Sequence, residues 1–195
     1  MDDFDGELRR FVRVPVPLEG RRAAAVAIVV SHDEGEPGIW LTRRASRLRA
    51  HSGQFALPGG RLDEGEDATG AALRELREEL GVVAGRSQVL GLLDDYATRS
   101  GYVITPVVVL LDGLPELTPN PAEVAEVHRI PFRVLDVEPR YVSIPESDRP
   151  VIQLPLLGHL VHAPTAAMLF QFREVALHGR QTRVAHLEQP VFAWR

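Results

Sequence analysis

The chain has 195 residues, of which 45% are hydrophobic and 25% charged, with a formal charge of −5. This is ordinary globular usage, so a packed core is expected, wholesale disorder is excluded, and a nucleic-acid binder working through basic surface is disfavoured. Cysteine is absent, which removes disulfides, zinc–thiolate sites and thiol catalysis and fits a cytoplasmic protein.

In chain order, residues 1–20 read as an N-terminal arm ahead of a domain spanning 21–195. The opening MDDFDGELRR is acidic and lacks the apolar stretch of a secretory leader. Val14-Pro15-Val16-Pro17 reads as extended, because each proline fixes its own φ and biases its predecessor away from helix. Residues 23–30 form a short apolar run expected to be a buried strand. A polar turn over 32–38 and a second strand over 39–42 complete a hairpin. A basic stretch from Arg43 to Arg49 leads into a loop through His51, Ser52 and Gly53, and Pro58-Gly59-Gly60 punctuates the backbone. Residues 67–80 turn helical, with Asp67 as N-cap, Leu73, Leu76 and Leu80 on one stripe, and Gly81 as the stop. Strands are expected over 88–93, 103–111, 123–130 and 151–157. A proline-bearing loop is expected over 114–121, and a longer one over 136–150. A second main helix is expected over 165–178, ended by Gly179, with an extended segment over 183–194. The apolar runs are too short to span a bilayer. Strands and helices mix without a strict βαβ repeat, which predicts an α+β fold, an α/β/α sandwich with a mixed β-sheet between helices.

The chemistry concentrates in GRLDEGEDATGAALRELREELGV, residues 60–82. Each helical residue advances about 100°, so Glu75, Glu78 and Glu79 share an arc of roughly 100° away from the leucine stripe. Three carboxylates on one flank repel one another. Read alone, that flank suits either a solvated acidic face paired with Arg74 and Arg77, or a set of oxygen ligands for a hard cation.

The surrounding residues add a resemblance. Gly60, Glu66, Arg74, Glu75, Leu76, Glu78, Glu79, Gly81 and Val82 fill every place of the Nudix box, and a chance match at one start point is below roughly 10⁻⁸ on average composition. The resemblance implies the Nudix fold and a hydrolase acting on phosphorus anhydrides. It further implies that Glu75, Glu78 and Glu79 bind one to three Mg²⁺ or Mn²⁺ ions. Glu66 and Arg74 would pair to hold the loop on the helix, and Gly60 and Gly81 would permit tight turns. Glu123 is the candidate for a further carboxylate from outside the box helix, serving as an extra metal ligand or general base.

A second signature narrows the substrate. Leu41-Thr42, Ala45, Arg49, Gly53 and Pro58-Gly59-Gly60 stand at a spacing similar to that of Nudix hydrolases that split coenzyme A into 3′,5′-ADP and 4′-phosphopantetheine. Residues 101–107, GYVITPV, and Glu123-Val124 ahead of Ile130-Pro131 look like the same subfamily. The substrate-binding candidates are Arg43, Arg44, Arg49, His51, Gly53, Gly59 and Gly60. The arginines suit multiple phosphate oxygens, and Arg49, at the motif's arginine position, has the best claim on the 3′-phosphate. Asp94, Asp95 and Arg99 are further candidates for the cleft border. The partner this implies is a small nucleotide diphosphate, with no nucleic acid and no membrane. A homodimer is allowed, although no exposed stripe demands one. The alternatives are a Nudix hydrolase of another diphosphate (a nucleotide sugar, a dinucleotide or a nucleoside triphosphate) and an inactive Nudix-fold binding module. The intact box carboxylates weigh against the module.

Overall fold

A computed structural model describes residues 4–45 and 53–194. In chain order the elements are α1 (Phe4–Arg10), β1 (Arg22–Asp33), β2 (Glu36–Arg44), β3 (Phe55–Ala56), β4 (Gly59–Arg61), α2 (Ala68–Leu80), β5 (Val89–Leu92), β6 (Tyr96–Ala97), β7 (Tyr102–Leu110), β8 (Val124–Pro131), the one-turn α3 (Phe132–Leu135), β9 (Arg140–Ile144), β10 (Ser147–Leu156), β11 (His159–His162) and α4 (Thr165–His178).

The expected hairpin is tighter than the sequence suggested. Asp33 pairs with Glu36, and the two residues between them, Glu34 and Gly35, have φ of 48° and 85°. Both central residues at positive φ is the type I′ geometry whose twist matches paired strands. Beyond the Val30–Ile39 rung, β2 leaves β1. The rest of that β1 edge is taken by β4, with Ala24, Ala25 and Val26 opposite Arg61, Gly60 and Gly59. β3 pairs with β2 at Thr42 and Arg43. The strands thus splay into a wedge, and Pro58-Gly59-Gly60 lies in it.

On its other edge β1 runs parallel to β7, from Arg22 opposite Tyr102 to Val30 opposite Leu110. β5 and β6 are antiparallel to β7, and β8 is antiparallel to β2. The result is an eight-stranded mixed sheet. Helix α2 covers one face. Ala25 and Ala27 of β1 meet Ala71 and Ala72 of α2 within a core that also holds Leu76, Leu80, Val107 and Val109. The four alanines let helix and sheet approach closely, while Leu76 and Leu80 each contribute about 1.5–3 kcal/mol by full burial. The other face carries Ile28, Val30 and Val108 against α4 residues Leu169, Phe172 and Val175. The fold is α+β, a sheet between helices.

Within the N-terminal arm, residues 4–10 form a helix whose Leu8, together with Phe11, enters the larger core. Two expectations are corrected. The loop expected over 136–150 is instead β9 and the start of β10, which with β11 make a three-stranded antiparallel sheet. Its prolines were misleading because Pro145 sits between the strands and Pro150 falls where the β9–β10 register breaks, positions at which a missing N–H costs little. Residues 183–194 are largely irregular and close with a 3₁₀ turn, Val191–Trp194, rather than a strand.

Candidate active site

The box helix begins and ends as its sequence dictates. Asp67 accepts the Gly70 N–H at 2.7 Å and takes two bonds from Arg86, at 2.6 and 2.8 Å. These bonds, the Arg86 pair foremost, lower the Asp67 carboxyl to about 2. Gly81 closes the helix with φ 72° in the left-handed region, where glycine carries no Cβ penalty.

The loop is clamped to the helix by Arg74. Its Nε and one terminal nitrogen each donate to a Glu66 carboxylate oxygen at 3.1 Å, and it also donates to the Arg61 carbonyl at 2.9 Å. The Arg74 bonds hold Glu66 below the ordinary carboxylate range. The other terminal nitrogen of Arg74 reaches Glu75 at 2.8 Å and Glu78 at 3.2 Å.

Glu79 differs from these acids. It is buried, at 4% exposure. Among the described residues the one hydrogen bond to its carboxylate is a long one, 3.4 Å, from the Gly59 amide. Burial pushes its pKa up to about 7, and the charges of Glu75 and Glu123 add to that effect while Arg44 opposes it. Burial likewise raises Glu75, which feels the charges of Glu78 and Glu123. Four carboxylates thus sense one another across one helix and a loop. Gly60 is what allows the contact with β4, because a Cβ there would overlap the Glu75 carboxylate. Glu123, just before β8, accepts from Asn120 Nδ2 at 3.3 Å.

Among the described residues no three acidic or histidine side chains stand together as a metal cage. The Arg74 guanidinium lies between Glu75 and Glu78 instead. The donor chemistry nevertheless fits a hard divalent cation: carboxylate oxygens on a rigid helix, one of them buried with no cation of its own.

Beside Gly59 and Gly60 opens a cavity of about 320 Å³, bounded by Arg44, Val26, Leu57, Ile104 and Met168 among others. Among the described residues the Arg44 Nε is buried without a hydrogen-bond partner, so one donor of this cation is left open beside the cavity. Arg43, by contrast, is paired with Glu126 at 3.0 Å and donates to the Gly53 carbonyl at 3.2 Å. Gly53 takes φ 70°. Arg47, Arg49 and His51 lie outside the described residues. Asp94 and Asp95 do not border the cleft. Both are buried, Asp95 by Arg13, Thr105 and the Val16 amide, and Asp94 by Arg183, Gln171 and the Val14 amide. Arg99 is bound to Glu188. No local pattern announces the cavity's far wall, Pro164, Thr165, Met168 and Gln189, because the cue lies in tertiary packing.

The family model of the NUDIX domain matches residues 21–153. The uncharacterized Nudix hydrolase NudL of Photorhabdus laumondii is 40% identical over 115 residues, which cover 58% of this chain and 61% of that protein. NudL of Citrobacter koseri is 37% identical over 137 residues, 68% of this chain and 69% of that one. The match therefore spans less than two thirds of the Photorhabdus protein's length. Among solved structures, the Nudix hydrolase RenU of M. smegmatis shares the fold with TM-score 0.56 at 20% identity, covering 84% of this chain and 91% of that one. A MutT/nudix family protein of Enterococcus faecalis does so with TM-score 0.58 at 15% identity, covering 90% of this chain and 69% of that one. The chain belongs to the Nudix hydrolase family. The far wall of the cavity lies beyond the matched residues, in the part of the chain where family membership says least.

Proposed function

We propose that the chain is a cytoplasmic, divalent-metal-dependent pyrophosphohydrolase that cleaves coenzyme A or acyl-coenzyme A to 3′,5′-ADP and (acyl-)4′-phosphopantetheine. The observation that carries the reading is the buried Glu79 carboxylate, set against Gly59 at the edge of a cavity where Arg44 lies within its field and has a buried Nε free of hydrogen bonds among the described residues. Glu75, Glu78 and Glu79 would hold Mg²⁺ or Mn²⁺. When bound, such an ion supplies positive charge beside the scissile anhydride and makes water there more acidic. Arg74 keeps its pair with Glu66 and its bond to the Arg61 carbonyl whether or not Glu75 and Glu78 hold a cation, so the loop stays anchored. Glu123, within the field of Glu75 and Glu79, takes the proton of the attacking water. Arg44 lies against the phosphate oxygens and offsets their charge in a site with little water, where such an interaction is strongest.

The coenzyme A assignment draws on the pattern over residues 41–60 and on the cavity itself. Val26, Leu57, Ile104 and Met168 offer an apolar wall to a pantetheine arm or acyl chain. The test is incubation with coenzyme A, nucleotide sugars, dinucleotides and nucleoside triphosphates in Mg²⁺ and in Mn²⁺, with products identified by mass. Release of 4′-phosphopantetheine is expected; cleavage confined to another diphosphate overturns the substrate. Glu79→Gln is expected to lower turnover about 10²–10³-fold, the scale of losing one group that stabilises transition-state charge. Near-normal turnover with the fold intact removes Glu79 from the metal site.

A further inference from the structure

Two arginines, Arg22 on β1 and Arg61 at a variable position of the box, meet on one tyrosine. The Arg61 Nε and a terminal nitrogen both donate to the Tyr102 hydroxyl, at 3.0 and 2.7 Å. The Arg61 guanidinium carbon lies 5.5 Å from the Tyr102 ring centre, and that of Arg22 lies 5.7 Å from it. Among the described residues neither arginine has a carboxylate within 4.0 Å, although the chain carries more acidic than basic groups. Two like charges are thus gathered at an exposed spot with no described carboxylate paired to either.

The arrangement is built into the backbone. Arg22 stands opposite Tyr102 across β1–β7, and Ala24, two residues along β1, stands opposite Arg61 across β1–β4. All three side chains therefore rise on the sheet face that carries Val26 and Ile104, the face of the cavity. The turn ahead of β7 fixes Tyr102, whose amide donates to Thr98 Oγ1 at 2.9 Å, and the Arg22 amide donates to the Gly101 carbonyl at 2.9 Å. Arg61 and Tyr102 line the same cavity as Arg44. The cavity lining thus holds two cations, Arg44 and Arg61, and the exposed Arg22 stands beside the second of them on Tyr102. A ligand matching both carries two separate phosphate groups.

We propose that Arg22 and Arg61, positioned on Tyr102, form an anion subsite for a phosphomonoester of the substrate, distinct from the anhydride that is cut. The proposal rests on the pyrophosphohydrolase reading for the identity of the cavity. It assigns to these arginines the remote-phosphate role that the sequence pattern offered to Arg49. A dianionic phosphate accepts charge-assisted hydrogen bonds from both guanidinium groups, and its second charge favours it over a single carboxylate.

The test is equilibrium binding of adenosine 3′,5′-bisphosphate and of AMP to the full chain in chelator, so that metal and turnover play no part. The wild type is expected to bind the bisphosphate at least about tenfold more tightly, the scale of one charge-assisted contact. Arg22→Ala/Arg61→Ala is expected to abolish that difference, and Arg61→Lys to keep part of it. The Arg61 carbonyl that holds Arg74 survives each substitution, and circular dichroism of each variant checks the fold. Equal affinities in the wild type, failure of the bisphosphate to bind, or a preference that persists in the double variant each overturns the subsite. Hydrolysis of 3′-dephospho-coenzyme A in Mg²⁺ reports on the pyrophosphohydrolase reading separately.

Discussion

Two adjacent glycines do different work. A Cβ at Gly60 would overlap the outer oxygen of Glu75, the far end of a side chain, whereas one at Gly59 would overlap the Ala25 carbonyl and the Val26 Cα, which are backbone. A carboxylate can swing aside and a paired strand cannot. Gly60→Ala is therefore expected to reduce turnover by displacing Glu75 while leaving the thermal midpoint nearly unchanged. Gly59→Ala is expected to destabilise by about 1–3 kcal/mol, the usual cost of overpacking, or roughly 2–4 °C per kcal/mol in a chain of this size. Calorimetry beside steady-state kinetics separates the two, and equal losses of stability would contradict the distinction. The sequence marked both residues as members of a motif. It did not reveal which atoms each would meet, because those atoms come from β1 and α2. For the same reason Glu79 read as one of three equivalent acids, although it is far more buried than Glu78.

At the scale of elements, the C-terminal segment ties the two sheets together. Buried Glu188 accepts from Arg99, just before β7, at 2.6 Å, from Ser147 at the start of β10 at 2.8 Å, and from the Gln189 amide at 2.9 Å. Its own amide donates to the Pro150 carbonyl at 2.8 Å. Burial alone would raise the Glu188 pKa, but these hydrogen bonds, led by that from Arg99, hold it below the ordinary glutamate value. A carboxylate depressed on folding stabilises above its unfolded pKa and loses that contribution as pH falls through its folded pKa. Glu188→Gln is thus expected to cost about 1–3 kcal/mol near neutrality and to flatten the acid limb of stability between the ordinary glutamate range and the lower folded value. Urea melts across pH 3–7 measure it; a variant as acid-sensitive as the wild type would rule the clamp out. Nothing in the sequence pointed to this residue. Helices α2 and α4 were legible because apolar spacing, caps and terminal glycines are local signals. The clamp depends on partners about 40 to 90 positions away, whereas the second sheet is a run of local hairpins that its prolines disguised as a loop.

At the scale of the whole molecule, the sandwich buries Glu79, the acid proposed to hold a metal, inside the folded state alone. The unfolded chain has no comparable grouping, so metal that binds only the native form adds stability by mass action. Raising Mg²⁺ or Mn²⁺ to about 100 times its dissociation constant is expected to add about 2.7 kcal/mol, reversed by chelator and largely absent in Glu79→Gln. A melting temperature insensitive to either ion would argue that the native acids do not hold one.

The parallel pairing of β1 with β7 has a temporal consequence. The paired residues are eighty positions apart, as Arg22 and Tyr102 show. At about 5–20 residues per second of synthesis, β1 emerges roughly 4–16 s before its mate exists. One edge is soon occupied, by β2 through the tight hairpin and then by β4. The other, rich in alanine and valine, must wait with its amides unmatched, and it is there that a nascent chain of this protein is most exposed to pairing with a stranger.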